Sequence, residues 1–226
     1  MQHDKEFEFT RDDFDYLRKI VTDTTGILAD DDKYTMYYSR LARRVRKLGL
    51  KNFTEYRAFL NKNRDVEIIE LVNSVTTNLT SFFRENHHFE FLRDTIVPEI
   101  RKRGTKKIRV WSAGCSTGEE PYSIAITLAE AIPDYKSWDI KILATDLDSN
   151  VVQKASSGVY ELNRVDGIDK PLLKKYFKKG TGHNAGFVKM NPDLMQLISF
   201  KQLNLLHKWP ITDTMAFVFC RNVVIY

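Results

Sequence analysis

The sequence predicts an α/β protein in two parts: an all-helical N-terminal domain over 1–75, then strands and helices alternating around a parallel sheet, with a small antiparallel insert. Three observations predict this. Apolar residues recur at helical spacing through 1–75 with no β pattern between them. Beyond residue 107, short apolar runs alternate with helical stretches, the rhythm of right-handed βαβ units. One connection, 158–196, is overlong and glycine-containing, so it should carry structure of its own.

The elements follow in order. Thr10 caps a first helix with Asp13 at its third position; Phe14, Leu17, Ile20 and Val21 line one face, and Gly26 stops it. Further helices are predicted over 33–48, 53–61 and 65–73, which makes 1–75 a small bundle. Pro98 and the basic run Arg101-Lys102-Arg103 mark a break. After it, strands are expected at 108–111 and 140–144, helices at 121–131 and 149–156, and third and fourth strands at 197–203 and 215–220. Within the long connection, Gly180, Gly182 and Gly186 precede Phe187-Val188-Lys189, a hairpin pattern. The insert is placed at about 176–198, inside a second domain over 76–226. The chain ends directly after the fourth strand, where a doubly wound sheet normally continues, so further C-terminal strands are expected to be missing.

Composition narrows the class. With 42% hydrophobic and 29% charged residues, the 226-residue chain has ordinary globular composition, and no apolar run approaches bilayer length. Its first residues lack the basic-then-apolar pattern of a secretory signal. Cys115 and Cys220 stand far apart and in no CxxC pattern, giving neither a disulfide framework nor a zinc site; no metal is expected, and a cytoplasmic location is the simplest.

The stretch Ala113-Gly114-Cys115-Ser116-Thr117-Gly118-Glu119-Glu120 joins the first strand of the sheet to a helix. Its glycines have neither the spacing of a dinucleotide fingerprint nor the GK[ST] ending of a phosphate loop. In a Rossmann-like sheet the ligand sits at the carboxyl ends of the strands. Glutamates there repel phosphate but suit a cationic or hydroxyl-bearing ligand. Asp146, ending the second strand, is placed to accept from ribose hydroxyls, so adenosine attached to a sulfonium, as in S-adenosylmethionine, fits. Helix capping and the helix dipole account for the same acidic residues without any ligand.

Five separated stretches sharpen the reading: Asn78-Leu79-Thr80-Ser81-Phe82-Phe83-Arg84-Glu85, the 113–123 loop, Ala144-Thr145-Asp146, Asn204-Leu205-Leu206, and Cys220-Arg221-Asn222-Val223-Val224-Ile225-Tyr226. Together and in this order, the chain resembles the CheR-type chemotaxis receptor methyltransferases over nearly its whole length. The resemblance implies an S-adenosylmethionine-dependent protein-glutamate O-methyltransferase, with a helical N-terminal domain and a Rossmann-like catalytic domain carrying a β insert. Carried over, it assigns Asn78, Thr80, Arg84, Glu120, Asp146, Asn204, Leu205, Arg221 and Asn222 to the cofactor. Arg84 and Tyr226 then face the reacting groups, and S-adenosylhomocysteine is the product. Glu119 is read as structural. The family commonly carries an Asp before the fourth strand, where this chain has Met215-Ala216.

Arg40, Arg43, Arg44 and Lys47 fall on one stripe of the second helix. The resemblance makes this stripe a docking face for the acidic cytoplasmic domain of a chemotaxis receptor, and the insert a grip for a receptor C-terminal peptide. A monomer with no nucleic-acid partner and no membrane insertion is expected. Two rival readings stand beside it: a receptor-associated module that binds S-adenosylmethionine without turnover, and an RNA methyltransferase, favoured only by the basic helix.

Overall fold

The computed structural model describes residues 6–221 and 223, which divide into two units: 6–77 with 204–208, and 78–203 with 209–221 and 223. The first unit is built from α1 (Arg11–Thr25), α2 (Tyr34–Lys47), α3 (Phe53–Lys62) and α4 (Arg64–Val75). A reciprocal capping box starts α1: the Thr10 hydroxyl accepts from the Asp13 N–H at 3.1 Å, and the Asp13 carboxylate accepts from the Thr10 N–H at 3.0 Å. Gly26 ends it at φ +74°, a left-handed conformation that L side chains rarely adopt. The expected apolar face is the buried one, with Phe14, Leu17, Tyr37, Leu41, Val45, Tyr56, Leu60 and Leu71 in a shared core.

The second unit opens with a helical run that the sequence reading passed over: α5 (His87–Phe91), a π-helical turn (Leu92–Ile96) and α6 (Val97–Lys102). Its core residues Phe89, Leu92, Val97 and Ile100 are spaced three, five and three apart, because the wide turn inserts a residue into the 3.6-residue repeat. Pro98 breaks nothing, since it sits in the first turn of α6, where a missing N–H is tolerated.

Next come β1 (Lys107–Ser112), α7 (Glu119–Ala131), β2 (Asp139–Asp146), α8 (Ser149–Ser157), β3 (Val159–Glu161), α9 (Lys170–Tyr176), β4 (Phe177–Lys179), β5 (Phe187–Met190), α10 (Pro192–Met195), β6 (Ile198–Gln202) and β7 (Phe217–Phe219). Four strands form a parallel sheet in the order β6-β2-β1-β7. Register pairs Ser112 with both Ala144 and Phe219. β1 is buried along almost its whole length, as a strand covered on both faces must be, and α7 is buried from Glu119 to Ala129. The chain leaves β1 toward β2 on one side and returns as β7 on the other, so the carboxyl end of β1 is the topological switch point of a Rossmann-like sheet.

The insert is larger than a hairpin. It is a three-stranded antiparallel sheet in the order β3-β5-β4, beginning at Val159 rather than near 176, and residue 198 already belongs to the parallel sheet. A three-residue strand such as β3 is too short to display period-two alternation.

Candidate cofactor site

Two loops meet at the switch point. The first, 113–118, leaves β1 with Ser116 at φ +47° and Gly118 at φ +98°. A Cβ on Gly118 would lie 2.7 Å from the Tyr160 hydroxyl and 2.9 Å from Ala155 Cβ, so glycine is required both by φ and by space. The second loop, 78–86, holds Phe83 and Glu85 at φ +53° and +54°. Among the described residues, the three non-glycine residues in left-handed backbone all lie in these two loops and mark where the fold tolerates strain.

Asp146 anchors the first loop: one carboxylate oxygen accepts the Ser116 N–H at 2.8 Å and the other the Asp148 N–H at 3.0 Å. Burial raises its carboxyl above the ordinary value, and the N–H groups of Asp148 and Ser116 oppose that rise. The two loops are joined directly, the Ser116 hydroxyl donating to the Asn78 carbonyl at 3.0 Å. The Asn78 amide in turn donates to Asp148 at 2.8 Å. Cys115 lies buried in this loop with its N–H on the Thr145 carbonyl, and burial pushes its thiol far up, which leaves it inert.

Glu120 is 9% exposed at the start of α7. Its Oε1 accepts from the Ser112 hydroxyl at 2.7 Å and its Oε2 from Arg221 at 3.2 Å. Burial raises its carboxyl, while the Ser112 hydrogen bond and the Arg221 charge pull it back. Arg221 also donates to the Arg84 carbonyl at 2.5 Å and to Glu85 at 2.9 Å, and it lies over the rings of Phe89 and Phe219. Arg84 itself donates to the Leu79 carbonyl at 2.7 Å, closing its own loop. Glu119 is fully buried and paired with Arg164, with a second bond from the Thr117 hydroxyl at 2.6 Å. The structure thus brings together Asn78, Thr80, Arg84, Glu120, Asp146 and Arg221 in one unit.

Asn204 and Leu205 belong to the helical unit, where the Asn204 amide donates to the Thr24 carbonyl at 2.8 Å and its oxygen accepts the Leu206 N–H at 3.0 Å. Asn222 and Tyr226 lie outside the described residues.

The four residues of the basic stripe on α2 divide into two with partners inside the helical unit and two that are exposed. Arg40 is committed to the end of α4, donating to the carbonyls of Val75 and Thr76 at 2.7 and 2.6 Å and to the Thr77 hydroxyl at 3.2 Å. Arg44 makes a two-pronged pair with buried Glu67 at 2.9 and 2.5 Å and reaches Glu70 at 3.0 Å. Both cations thus have hydrogen-bond partners within their own unit. Helical spacing revealed the shared face but not partners 23 or more residues away. Arg43 and Lys47 remain exposed on the rim of a cavity of about 250 Å³, also lined by Arg40, Arg44, Glu70 and Ser74.

The donor set fits an adenosyl sulfonium. Among the described residues, Asp146 accepts from backbone N–H groups and Glu120 from one hydroxyl and one guanidinium, while an ionised carboxylate has about four acceptor sites, so both retain capacity for hydroxyls and for positive charge. A phosphate would meet the same carboxylates and be repelled. The fold is a Rossmann-like parallel sheet with two acidic side chains at its switch point. Comparison with known proteins supplies the particular family. Residues 78–226 match "CheR methyltransferase, SAM binding domain", and 12–76 match "CheR methyltransferase, all-alpha domain". "Chemotaxis protein methyltransferase 2" of Pseudomonas aeruginosa is 44% identical over 98% of this chain and 78% of its own length. "Chemotaxis protein methyltransferase" of Salmonella typhimurium and that of Escherichia coli are each 41% identical over 94% of this chain and 73% of their own. The chain belongs to the CheR methyltransferase family, and S-adenosylmethionine is its methyl donor.

Proposed function

We propose that the protein methylates glutamate side chains in the cytoplasmic domain of chemotaxis receptors, forming glutamyl methyl esters, and that it acts as a cytoplasmic monomer. The observation that carries this reading is the Ser116–Asn78 tie. It joins the 113–118 loop, flanked by Asp146 and Glu120, with the loop bearing Arg84, whose guanidinium suits a carboxylate acceptor. When bound, S-adenosylmethionine supplies a methyl carbon made electrophilic by its sulfonium. In this reading Asp146 and Glu120 hold that donor, with Asn78, Thr80 and Arg221 supporting them. Arg84 steers the incoming carboxylate. A glutamate is already ionised near neutral pH, so no side chain need act as general base. The work left to the protein is holding both reactants near contact, an arrangement that supplies on the order of 7–11 kcal/mol.

The receptor is proposed to dock through Arg43 and Lys47, its acidic helix meeting the basic cavity rim. A receptor C-terminal peptide adding to β4, one of the two edge strands of the small sheet, is the proposed second contact. The test is incubation with methyl-labelled S-adenosylmethionine and, in parallel, receptor cytoplasmic fragments or RNA. Base-labile methanol released from the fragment is expected; cofactor uptake without label transfer, or label in RNA, overturns the proposal.

A further inference from the structure

The small sheet touches both cofactor loops through side chains that the cofactor reading does not use. Tyr160, on β3 and 1% exposed, donates its hydroxyl to the Thr117 carbonyl at 2.8 Å, in the turn that ends at Gly118. Arg164 follows β3 and spans two segments. Its Nη2 donates to the Thr80 carbonyl at 2.9 Å, and its Nε donates to Glu119 at 3.1 Å. Phe82, two residues before Arg84, sets its ring edge-on against Tyr160 at 5.0 Å and Phe177 at 5.4 Å, so β3 and β4 grip the loop between them. The contacts to Thr117, Thr80 and Phe82 fall on loops with left-handed non-glycine backbone, Ser116 in one and Phe83 in the other, while Glu119 opens the helix that follows the first loop.

Such backbone persists only where its surroundings over-determine it. The carbonyls of Thr80 and Thr117 receive these bonds from the small sheet. We infer that Arg164 and Tyr160 are positioning residues: the small sheet holds the 78–84 and 113–118 loops in cofactor-binding geometry, whatever else it grips. The inference rests on the cofactor reading of those loops. Arg164 is suited to the task because a guanidinium fork serves Glu119 and the Thr80 carbonyl together, whereas a lysine is a single point charge.

Two substitutions test it. Arg164→Lys keeps a cation for buried Glu119 but gives up the simultaneous bond to Thr80; Tyr160→Phe removes only the hydroxyl. In both, hydrogen exchange at 79–84 and 115–118 is measured without cofactor, and S-adenosylhomocysteine affinity is measured by calorimetry. Each variant is expected to weaken affinity about three- to tenfold and to speed exchange in the loop it touches. Unchanged affinity in a folded variant, or weakened affinity with unchanged loop exchange, overturns the inference. Should Arg164→Lys fail to fold, Tyr160→Phe decides alone. If the wild-type chain takes up no ligand, the cofactor reading fails, and exchange in the ligand-free variants still decides whether the sheet holds the loops.

Discussion

Among the described residues the helical unit buries Glu67 and the α/β unit buries Glu119 and Glu120, and Glu67 and Glu120 are treated differently. Glu67 in the helical unit receives both prongs of Arg44 and the Tyr56 hydroxyl at 2.9 Å, and is 1% exposed. Glu120 in the α/β unit receives one neutral hydroxyl and a guanidinium at 3.2 Å that it shares with Glu85 and a carbonyl. A buried carboxylate saturated by its own arginine is part of the architecture, because removing either partner strands a charge. A buried carboxylate held by a hydroxyl and a divided cation, with its carboxyl raised by desolvation, keeps attraction in reserve for a ligand.

The largest effect that sharpens this contrast is expected at the helical unit. Glu67→Ala leaves Arg44 and Tyr56 short of their buried partner and should cost about 3–5 kcal/mol in denaturant unfolding, with cofactor affinity of the folded fraction unchanged. A loss below about 1 kcal/mol would remove the distinction. Asp146→Asn comes next. An amide nitrogen would face one of two N–H donors, so about 1–3 kcal/mol of stability should go, together with most cofactor affinity. Calorimetric titration and thermal melts of the same sample check both.

Smaller still is Arg43→Glu with Lys47→Glu. Exposed charges act mainly on encounter, so receptor methylation should slow by roughly three- to tenfold at low salt, less at high salt, while cofactor affinity stays constant. Parallel loss of both activities would show that these cations are not a docking rim. The smallest effect is in pH dependence. A carboxyl whose folded value is raised holds its proton longer in the folded state, so its contribution to stability is fully present below the ordinary value of 4.5 and falls away as pH rises through the folded value. Ligand-free Glu120→Gln should therefore lose less stability than wild type over a pH series starting at 4.5, as read by urea midpoints; parallel curves would contradict the raised carboxyl.

Much of this was legible in the sequence, for reasons that also mark where legibility ends. Helices with one apolar face, such as α1 and α2, announce themselves because burial follows the 3.6 period, and α1 adds the Thr10 cap. Asp146 and Glu120 were readable as residues at strand and helix ends, where ligands of parallel sheets gather. Pairings between distant residues were not. Nothing in the order of residues ties Arg44 to Glu67, Arg40 to the end of α4, or Arg164 to Thr80 across 84 positions. The helical run from His87 was hidden for a different reason: its π turn shifts the apolar spacing off the template.

The central claim is that Glu120 is a reserved carboxylate, and titrating S-adenosylhomocysteine into wild type and Glu120→Gln, with unfolding of both measured in the same buffer, tests it most directly. Loss of a charge-assisted contact of about 2 kcal/mol predicts roughly thirtyfold weaker binding with unfolding free energy unchanged or raised. Equal affinity, or a loss of stability as large as the one expected for Glu67→Ala, would contradict it.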